Sequence, residues 1–286
     1  MPELPEVETV RRIVERDLTD RSLECVDLRL PKLLRDSPLA TLDLLVGRRV
    51  LGARRRAKVL IVDWSDDFSL LIHFKLAGQF AVIHADGTRH VAGHPVPDPA
   101  GPYPHKVTHV TLEFGGGVVA HFSDVRQFGW LRLMPSADVA AAIAVFRFGP
   151  EAAGAEPLDP LDLAARLGRR SIAIKLALLD QTVLAGLGNI YVDEALHRAR
   201  IHPTRPANAL TGDELARLRE AIPWALDRGL EQGGATIVNN RAHPRDGFPQ
   251  VHALAGEPCP TCASPVEKIR VGARGTYLCS RCQPAR

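Results

Sequence analysis

Two groups of residues in this sequence have types and spacings that could do chemistry. Near the C-terminus, Cys259 and Cys262 have two residues between them, Cys279 and Cys282 likewise, and sixteen residues separate the pairs. A two-residue spacer lets a tight turn aim both thiolates at one ion, and two such turns on a hairpin complete a tetrahedron. The spacing predicts one structural Zn²⁺ with no open position for a substrate. Its folding energy would support a segment too short to stand alone. Between the pairs, Arg274 falls near the tip of the expected hairpin, where an exposed guanidinium is well placed to grip phosphate. The second group is Met1-Pro2-Glu3. Proline is a small second residue, after which an initiator methionine is ordinarily removed. The exposed secondary amine would titrate near the α-amino reference of roughly 7.7–8.0, and lower at the positive end of a helix. Such an amine is a usable nucleophile. Its attack on a sugar C1′ gives an iminium that is already cationic, an electron sink for elimination, with Glu3 adjacent to move protons. Composition alone would instead read Pro-Glu as a lead into a helix, and an isolated turn arginine as a solvated charge.

Several elements must position these groups. Val7, Val10, Ile13, Val14 and Leu18 recur at helical spacing, predicting a helix over 5–18 with Pro5 at its first position. From Ser22 to about Met134 the pattern shortens to strands: 58–63, 70–74, 79–84, 108–114, 118–122 and 130–133, with Asp86-Gly87 and Gly115-Gly116-Gly117 as turns. This predicts a mostly antiparallel sandwich, with 94–105 as a Pro-rich loop. Beyond Pro135 the composition shifts to Ala and Leu, and helices are expected over 160–167, 172–180, 190–198 and 211–232. Asp159 and Thr211 are natural caps, the latter with Glu214 completing a capping box. Residues 235–250 show no period and read as a loop. The fold class is therefore α+β. The expected domains are 1–134 (β-sandwich with a leading helix), 135–250 (helical, ending in a loop) and 251–286 (cysteine-bounded hairpin).

The 286 residues carry 36 Lys+Arg against 33 Asp+Glu, a formal charge of +3. The segment 255–286, with five basic and two acidic residues, accounts for the whole excess. A second basic run is Arg48, Arg49, Arg54, Arg55, Arg56 and Lys58. Local clustering of this kind attracts a polyanion more than net charge does. The longest apolar run, Val139 to Phe146, is far short of the ~20 residues of a membrane helix. The N-terminus, rich in Pro and Glu, is no signal peptide. A cytoplasmic monomer with no membrane partner is expected, and five cysteines there argue for metal ligation. Cys25, outside the cluster, reads as a small buried hydrophobe.

The opening MPELPEVETVRR resembles the formamidopyrimidine-DNA glycosylase family and, more distantly, endonuclease VIII. The likeness continues through Arg54-Arg-Arg-Ala-Lys58, Ile72-His-Phe-Lys-Leu-Ala-Gly78, Asp124-Val-Arg126-Gln-Phe128-Gly129 and Leu178-Leu-Asp-Gln181. It goes on through Gly186-Leu-Gly-Asn189-Ile-Tyr191, Ile201-His-Pro203, Glu231-Gln-Gly-Gly234 and the cysteine pairs, in family order along nearly the whole chain. The resemblance implies a helix–two-turn–helix unit in 135–250, a zinc-finger hairpin, and a bifunctional glycosylase and AP lyase of base excision repair. Its partner would be double-stranded DNA holding a damaged base or abasic site. Pro2 would attack C1′ and form a Schiff base, Glu3 would protonate the ring oxygen, and Glu6 would position water. Lys58 and Arg274 would bind phosphate and assist β,δ-elimination. Asn189, in the turn between helices, would hold phosphate through its amide.

A base inside a duplex must be everted to be reached. Arg126 and Phe128 suit the filling of the resulting hole, one by pairing with the orphaned base and one as a wedge. Leu76 stands where the family usually has methionine, a change that conserves volume. His105 and Lys106 lie near a family histidine, and Arg170 is the nearest substitute for a family basic residue aligned with Ser171. The loop 235–250 is shorter than the family's lid over an everted 8-oxoguanine. Three readings stay open: excision of oxidised purines (formamidopyrimidine, 8-oxoguanine), a preference for oxidised pyrimidines, and damage recognition without lyase activity.

Overall fold

The computed structural model describes residues 1–153 and 158–285; Arg286, counted in the basic tail, lies outside them. The chain divides into two compact units, 1–146 and 147–286.

The first unit opens with helix α1 (Leu4–Leu18), followed by β1 (Leu23–Leu28), β2 (Val50–Arg56), β3 (Val59–Trp64), β4 (Phe68–His73) and β5 (Gly78–Ile83). Then come β6 (Arg89–Gly93), β7 (Thr108–Phe114), β8 (Val118–Asp124), β9 (Trp130–Pro135) and α2 (Val139–Ala144). The strands form two antiparallel sheets, ordered β1-β7-β8-β5-β6 and β2-β3-β4-β9. Their inner faces share one apolar core, in which Leu60, Val62 and Trp64 meet Val82, Val110 and Phe114. The Trp64 and Phe114 rings stack at 6.1 Å. Helix α1 contributes Val7, Val10, Val14 and Leu18 to this core and lies against β2 and β6, the edge strands of the two sheets. A helix laid over two edges removes them as templates for foreign strands. All six expected strands are present within two residues at their ends; β1, β2 and β6 are additional. Those three alternate less clearly, because β1 and β6 lie at the edges of their sheet and β2 carries a Gly and three Arg. The apolar run at 139–146 forms α2, and the Phe146 ring stacks on Trp130 at 6.2 Å.

The second unit comprises α3 (Pro160–Gly168), α4 (Ile174–Leu179), α5 (Asn189–Ala199), α6 (Gly212–Glu231), β10 (Ile237–Val238), β11 (Arg241–Ala242), β12 (Glu267–Val271) and β13 (Arg274–Leu278). The Asp159 side chain caps α3, and Thr211 with Glu214 forms the expected capping box on α6. Helices α5 and α6 approach so closely at Gly229 that an added Cβ would stand 2.4 Å from the Tyr191 ring. Residues 235–250 are not wholly loop, since β10 and β11 pair as a short ribbon. Two-residue strands are too brief to leave a period in the sequence.

Candidate active site

In the first unit, Met1 is 39% exposed while Pro2 beneath it is buried. Glu3 is the N-cap of α1. Its side chain accepts the Glu6 N–H, and the Glu6 Oε2 accepts the Glu3 N–H at 2.8 Å. This is a capping box with glutamate in the usual Ser/Thr place. Both carboxylates are buried, at the end of the helix where unpaired N–H groups collect. Lys58, 9% exposed, sits in the two-residue turn joining β2 to β3, next to Ala57 with φ 52°. Arg55 steadies that turn by donating to the Ala57 carbonyl at 2.7 Å, and reaches Glu8 on α1 at 3.3 Å. Burial, with help from the Lys75 and Lys58 charges, pushes the His73 pKa down to about 3. His73 is thus a neutral ring, whose Nδ1 accepts the Lys75 N–H at 3.0 Å. His94 is held below its ordinary value, chiefly by burial, with the N-terminal amine adding to the depression and Asp124 opposing it. The start of the chain, His94 and Asp124 are therefore within electrostatic reach of one another.

Asp124 builds the neighbouring loop. It is fully buried at the end of β8; its Oδ1 accepts the Arg126 N–H at 2.9 Å and its Oδ2 the Gly129 N–H at 2.8 Å. Gly129 has no room for a Cβ, which would meet Phe122 at 2.9 Å and Asp124 Oδ2 at 3.0 Å. The loop pushes Phe128 outward, 54% exposed, with the Arg126 guanidinium 5.6 Å above its ring. Lys32 Nζ donates to Gln127 Oε1 at 2.7 Å. Leu76, 38% exposed, heads the loop from β4 to β5. That loop closes through the Gly78 N–H to the Phe74 carbonyl at 2.9 Å, with no space for a side chain at Gly78. Lys106 is exposed before β7, whereas the His105 ring packs on Tyr103 at 4.2 Å.

In the second unit the Sγ atoms of Cys259, Cys262, Cys279 and Cys282 lie within 4.8 Å of one another. Burial and the neighbouring sulfurs push the Cys282 thiol up, and burial also raises Cys279. Four sulfurs so placed suit one divalent cation that displaces their protons, and they are positioned to bind one zinc ion. His197, buried on α5, points Nε2 at Cys259 Sγ from 3.4 Å. Arg274 is exposed and begins β13 after the two-residue turn Gly272-Ala273, where Gly272 takes φ +57°. Asn189 is the first residue of α5, not part of the turn before it; Gly188 is the N-cap. Its Nδ2 donates to the Gly275 carbonyl at 3.0 Å, so Asn189 and the residue following Arg274 are tied together. The same carbonyl accepts from Lys175 Nζ at 3.1 Å.

Lys175 belongs to a buried network absent from the sequence reading. It pairs with Asp193 at 2.7 Å; Asp193 also takes the His252 Nδ1 at 2.7 Å and the Tyr277 N–H at 3.1 Å. Glu194 accepts three successive N–H groups, from Gln250, Val251 and His252. Only their charge in an otherwise apolar helical pattern marks Lys175, Asp193 and Glu194. Arg170 faces Asp180 at 3.3 Å. The basic run at 48–58 is less free than its composition suggests: Arg54 pairs with Asp63, Arg55 with Glu8 and Arg48 with Asp66. Cys25 is exposed, not buried, because it falls on the outward side of edge strand β1.

Among the described residues no helix is long and apolar enough to cross a membrane. Residues 1–131 match the family model of the formamidopyrimidine-DNA glycosylase N-terminal domain, 148–240 that of its H2TH domain, and 256–285 that of the zinc finger found in FPG and IleRS. The chain is 39% identical to the formamidopyrimidine-DNA glycosylase of Pelotomaculum thermopropionicum, over 99% of each chain. It is 40% identical to that of Herpetosiphon aurantiacus, over 99% of this chain and 100% of the relative. A solved Lactococcus lactis Fpg in complex with DNA containing an abasic site superposes with a TM-score of 0.86 at 31% identity, covering 99% of this chain and 100% of that one. A mutant of the same enzyme in complex with DNA containing Fapy-dG gives 0.85 at 32%, with the same coverage. With its sandwich, H2TH helices and four-cysteine hairpin, this chain belongs to the formamidopyrimidine-DNA glycosylase family of base excision repair.

Proposed function

We propose that the protein is a bifunctional DNA glycosylase and AP lyase that removes oxidised purines, formamidopyrimidine and 8-oxoguanine among them, through a Schiff base on Pro2. The observation that carries this reading is the reciprocal Glu3–Glu6 capping box, which fixes the buried carboxylate of the residue that directly follows Pro2. Once Met1 is removed, the Pro2 lone pair attacks C1′ of the everted nucleotide and the base departs with its bonding pair. Glu3 gives a proton to the ring oxygen, the sugar opens, and the iminium is left to absorb the electrons of elimination. Glu6 holds the Glu3 backbone and is suitably placed to orient water. Lys58, in its Arg55-braced turn, binds the adjacent phosphate.

Phe128 and Leu76 enter the stack, and Arg126 faces the base left without a partner. The support for this role is placement: Phe128 and Leu76 stand exposed on two tightly closed loops of the same unit, with the Arg126 guanidinium over the Phe128 ring. Arg274 and Asn189, linked through Gly275, hold phosphates; the Asn189 amide carries a second N–H for this. Lys106, His105 and Arg170 add outer contacts, and the finger sequence 255–286 supplies positive charge. Each phosphate contact releases counterions, so affinity falls with salt.

The test is borohydride trapping on duplexes containing 8-oxoguanine, formamidopyrimidine, thymine glycol or an abasic site. The wild type is expected to give a covalent adduct through Pro2, strongest with the oxidised purines. Pro2→Gly should bind abasic DNA normally but lose adduct by at least roughly 100-fold. An undiminished adduct refutes the role of Pro2. Binding without any adduct would instead leave a damage-recognising protein, and a thymine glycol preference would move the substrate to pyrimidines.

A further inference from the structure

At the far end of α1 from Pro2, about 22 Å along a 15-residue helix, Asp17 is buried against the β5–β6 hairpin. His90 on β6 brings Nδ1 to 2.9 Å from Asp17 Oδ2, and His84, just past β5, brings Nε2 to 3.5 Å from Oδ1. The hairpin register explains the convergence: Val82 pairs with His90, so His84 and His90 are diagonal neighbours on one face, their rings 5.7 Å apart. The His84 Nε2 is shielded from solvent yet completes no hydrogen bond. A lone pair or N–H in that state costs free energy unless something else occupies the space between the three groups.

We propose that Asp17, His84 and His90 form a second metal site, for a divalent transition ion such as Zn²⁺ or Ni²⁺, separate from the four-cysteine finger. The three ligand atoms all lie within 4.8 Å of one another. Bonds of about 2.0–2.1 Å to a tetrahedral ion set ligand atoms about 3.3 Å apart; His90 stands 2.9 Å from one Asp17 oxygen and His84 3.5 Å from the other, so a small shift of either ring onto a shared oxygen completes the set. Two imidazoles and one carboxylate select borderline ions over Ca²⁺ or Mg²⁺. Arg16 donates to both Asp17 oxygens at 2.8 Å. Each oxygen has a second lone pair, so the guanidinium holds the carboxylate in place while leaving it able to meet an ion. Both imidazoles are partly exposed, at 22% and 32%, which leaves a path for the ion and a position for water. The ion would pin the end of α1 to the hairpin, and no step of catalysis runs through it.

Zinc-loaded full-length protein titrated calorimetrically with NiCl₂ tests the site, with zinc content measured on the same samples. One Ni²⁺ per chain is expected with the finger zinc retained. Affinity should fall at least about tenfold in His90→Ala and about 100-fold in the His84→Ala/His90→Ala variant, while adduct formation with abasic DNA stays unchanged. In the wild type, Ni²⁺ should broaden the ring signals of His84 and His90 ahead of those of the other histidines. That measurement stands even if a variant fails to fold. No Ni²⁺ uptake, unaltered uptake by the double variant, or broadening at other histidines overturns the proposal.

Discussion

In the unit of residues 1–146, the groups proposed for chemistry rest on apolar packing; in the unit of residues 147–286, they rest on sulfur ligands and buried charge. Glu3 and Glu6 cap a helix whose inner face joins a core running through both sheets. By contrast, the apolar cluster under the finger consists, among the described residues, mainly of Val251, Ala253, Val266, Tyr277 and the ligands Cys259 and Cys279. So small a core cannot offset the entropy of ordering the hairpin. The difference teaches that one chain can secure a nucleophile and a phosphate clamp by unrelated means, and that the two should fail under different insults.

Removing the metal should have the largest effect and should be confined to one unit. Chelation, or Cys279→Ser, is expected to unfold the finger, since binding free energy at such sites is of order 10 kcal/mol and serves as folding energy. DNA affinity should be lost while near-ultraviolet circular dichroism from Trp64 and Trp130 persists. Unchanged affinity after chelation would show that the finger does not hold the phosphate contacts. Next in size is Lys175→Met. It strands the Asp193 carboxylate, which is buried with its lysine at 2.7 Å, and breaking such a pair costs about 3–5 kcal/mol. Urea unfolding of the wild type and variant measures this. A loss under about 1 kcal/mol would mean that His252 and the Tyr277 N–H suffice to hold Asp193.

These two cases also show what could be read from the sequence and what could not. The cysteine spacing announced the metal because ligand geometry forces a local pattern. The leading helix, six strands and the α6 cap were legible for the same reason, as each is written in residues close along the chain. The Lys175–Asp193–His252 network was not, because its members are up to 77 positions apart and each looks like an ordinary helix or loop residue. Asp124 stood within a recognised motif, yet its role of accepting two loop N–H groups depends on where β8 ends. Asn189 was expected in a turn and proved to start α5, a boundary set by Gly188 and not by any period.

Acid should weaken the first unit through two of its buried rings. Burial lowers the His73 pKa to about 3 and the His121 pKa to about 4, against 6.5 for the free side chain. Between those values the unfolded chain binds protons that the folded chain does not. Stability conferred by the neutral rings is therefore complete above pH 6.5 and is lost as pH falls towards 4 and then 3. Each ring contributes at most about 1.4 kcal/mol per pH unit in that window. Unfolding followed by the tryptophans of the first unit should lose stability along this course, and His73→Gln should flatten it. A pH-independent midpoint between 6.5 and 4 would contradict the burial of these rings.

The smallest effect compares the two capping boxes directly. Thr211→Ala removes the acceptor of the Glu214 N–H and should cost about 1 kcal/mol, with no change in adduct formation on abasic DNA. Glu6→Ala should cost a similar amount, because it also deletes half of a box. However, it frees the backbone of Glu3 beside the nucleophile, so the rate of trapping should drop as well. Glu6→Gln retains an acceptor for the Glu3 N–H and should restore most of both. If Glu6→Ala weakened the fold yet left trapping at the wild-type rate, the N-terminal box would be an ordinary cap like that of α6, and the positioning of Glu3 would have to come from elsewhere in the first unit.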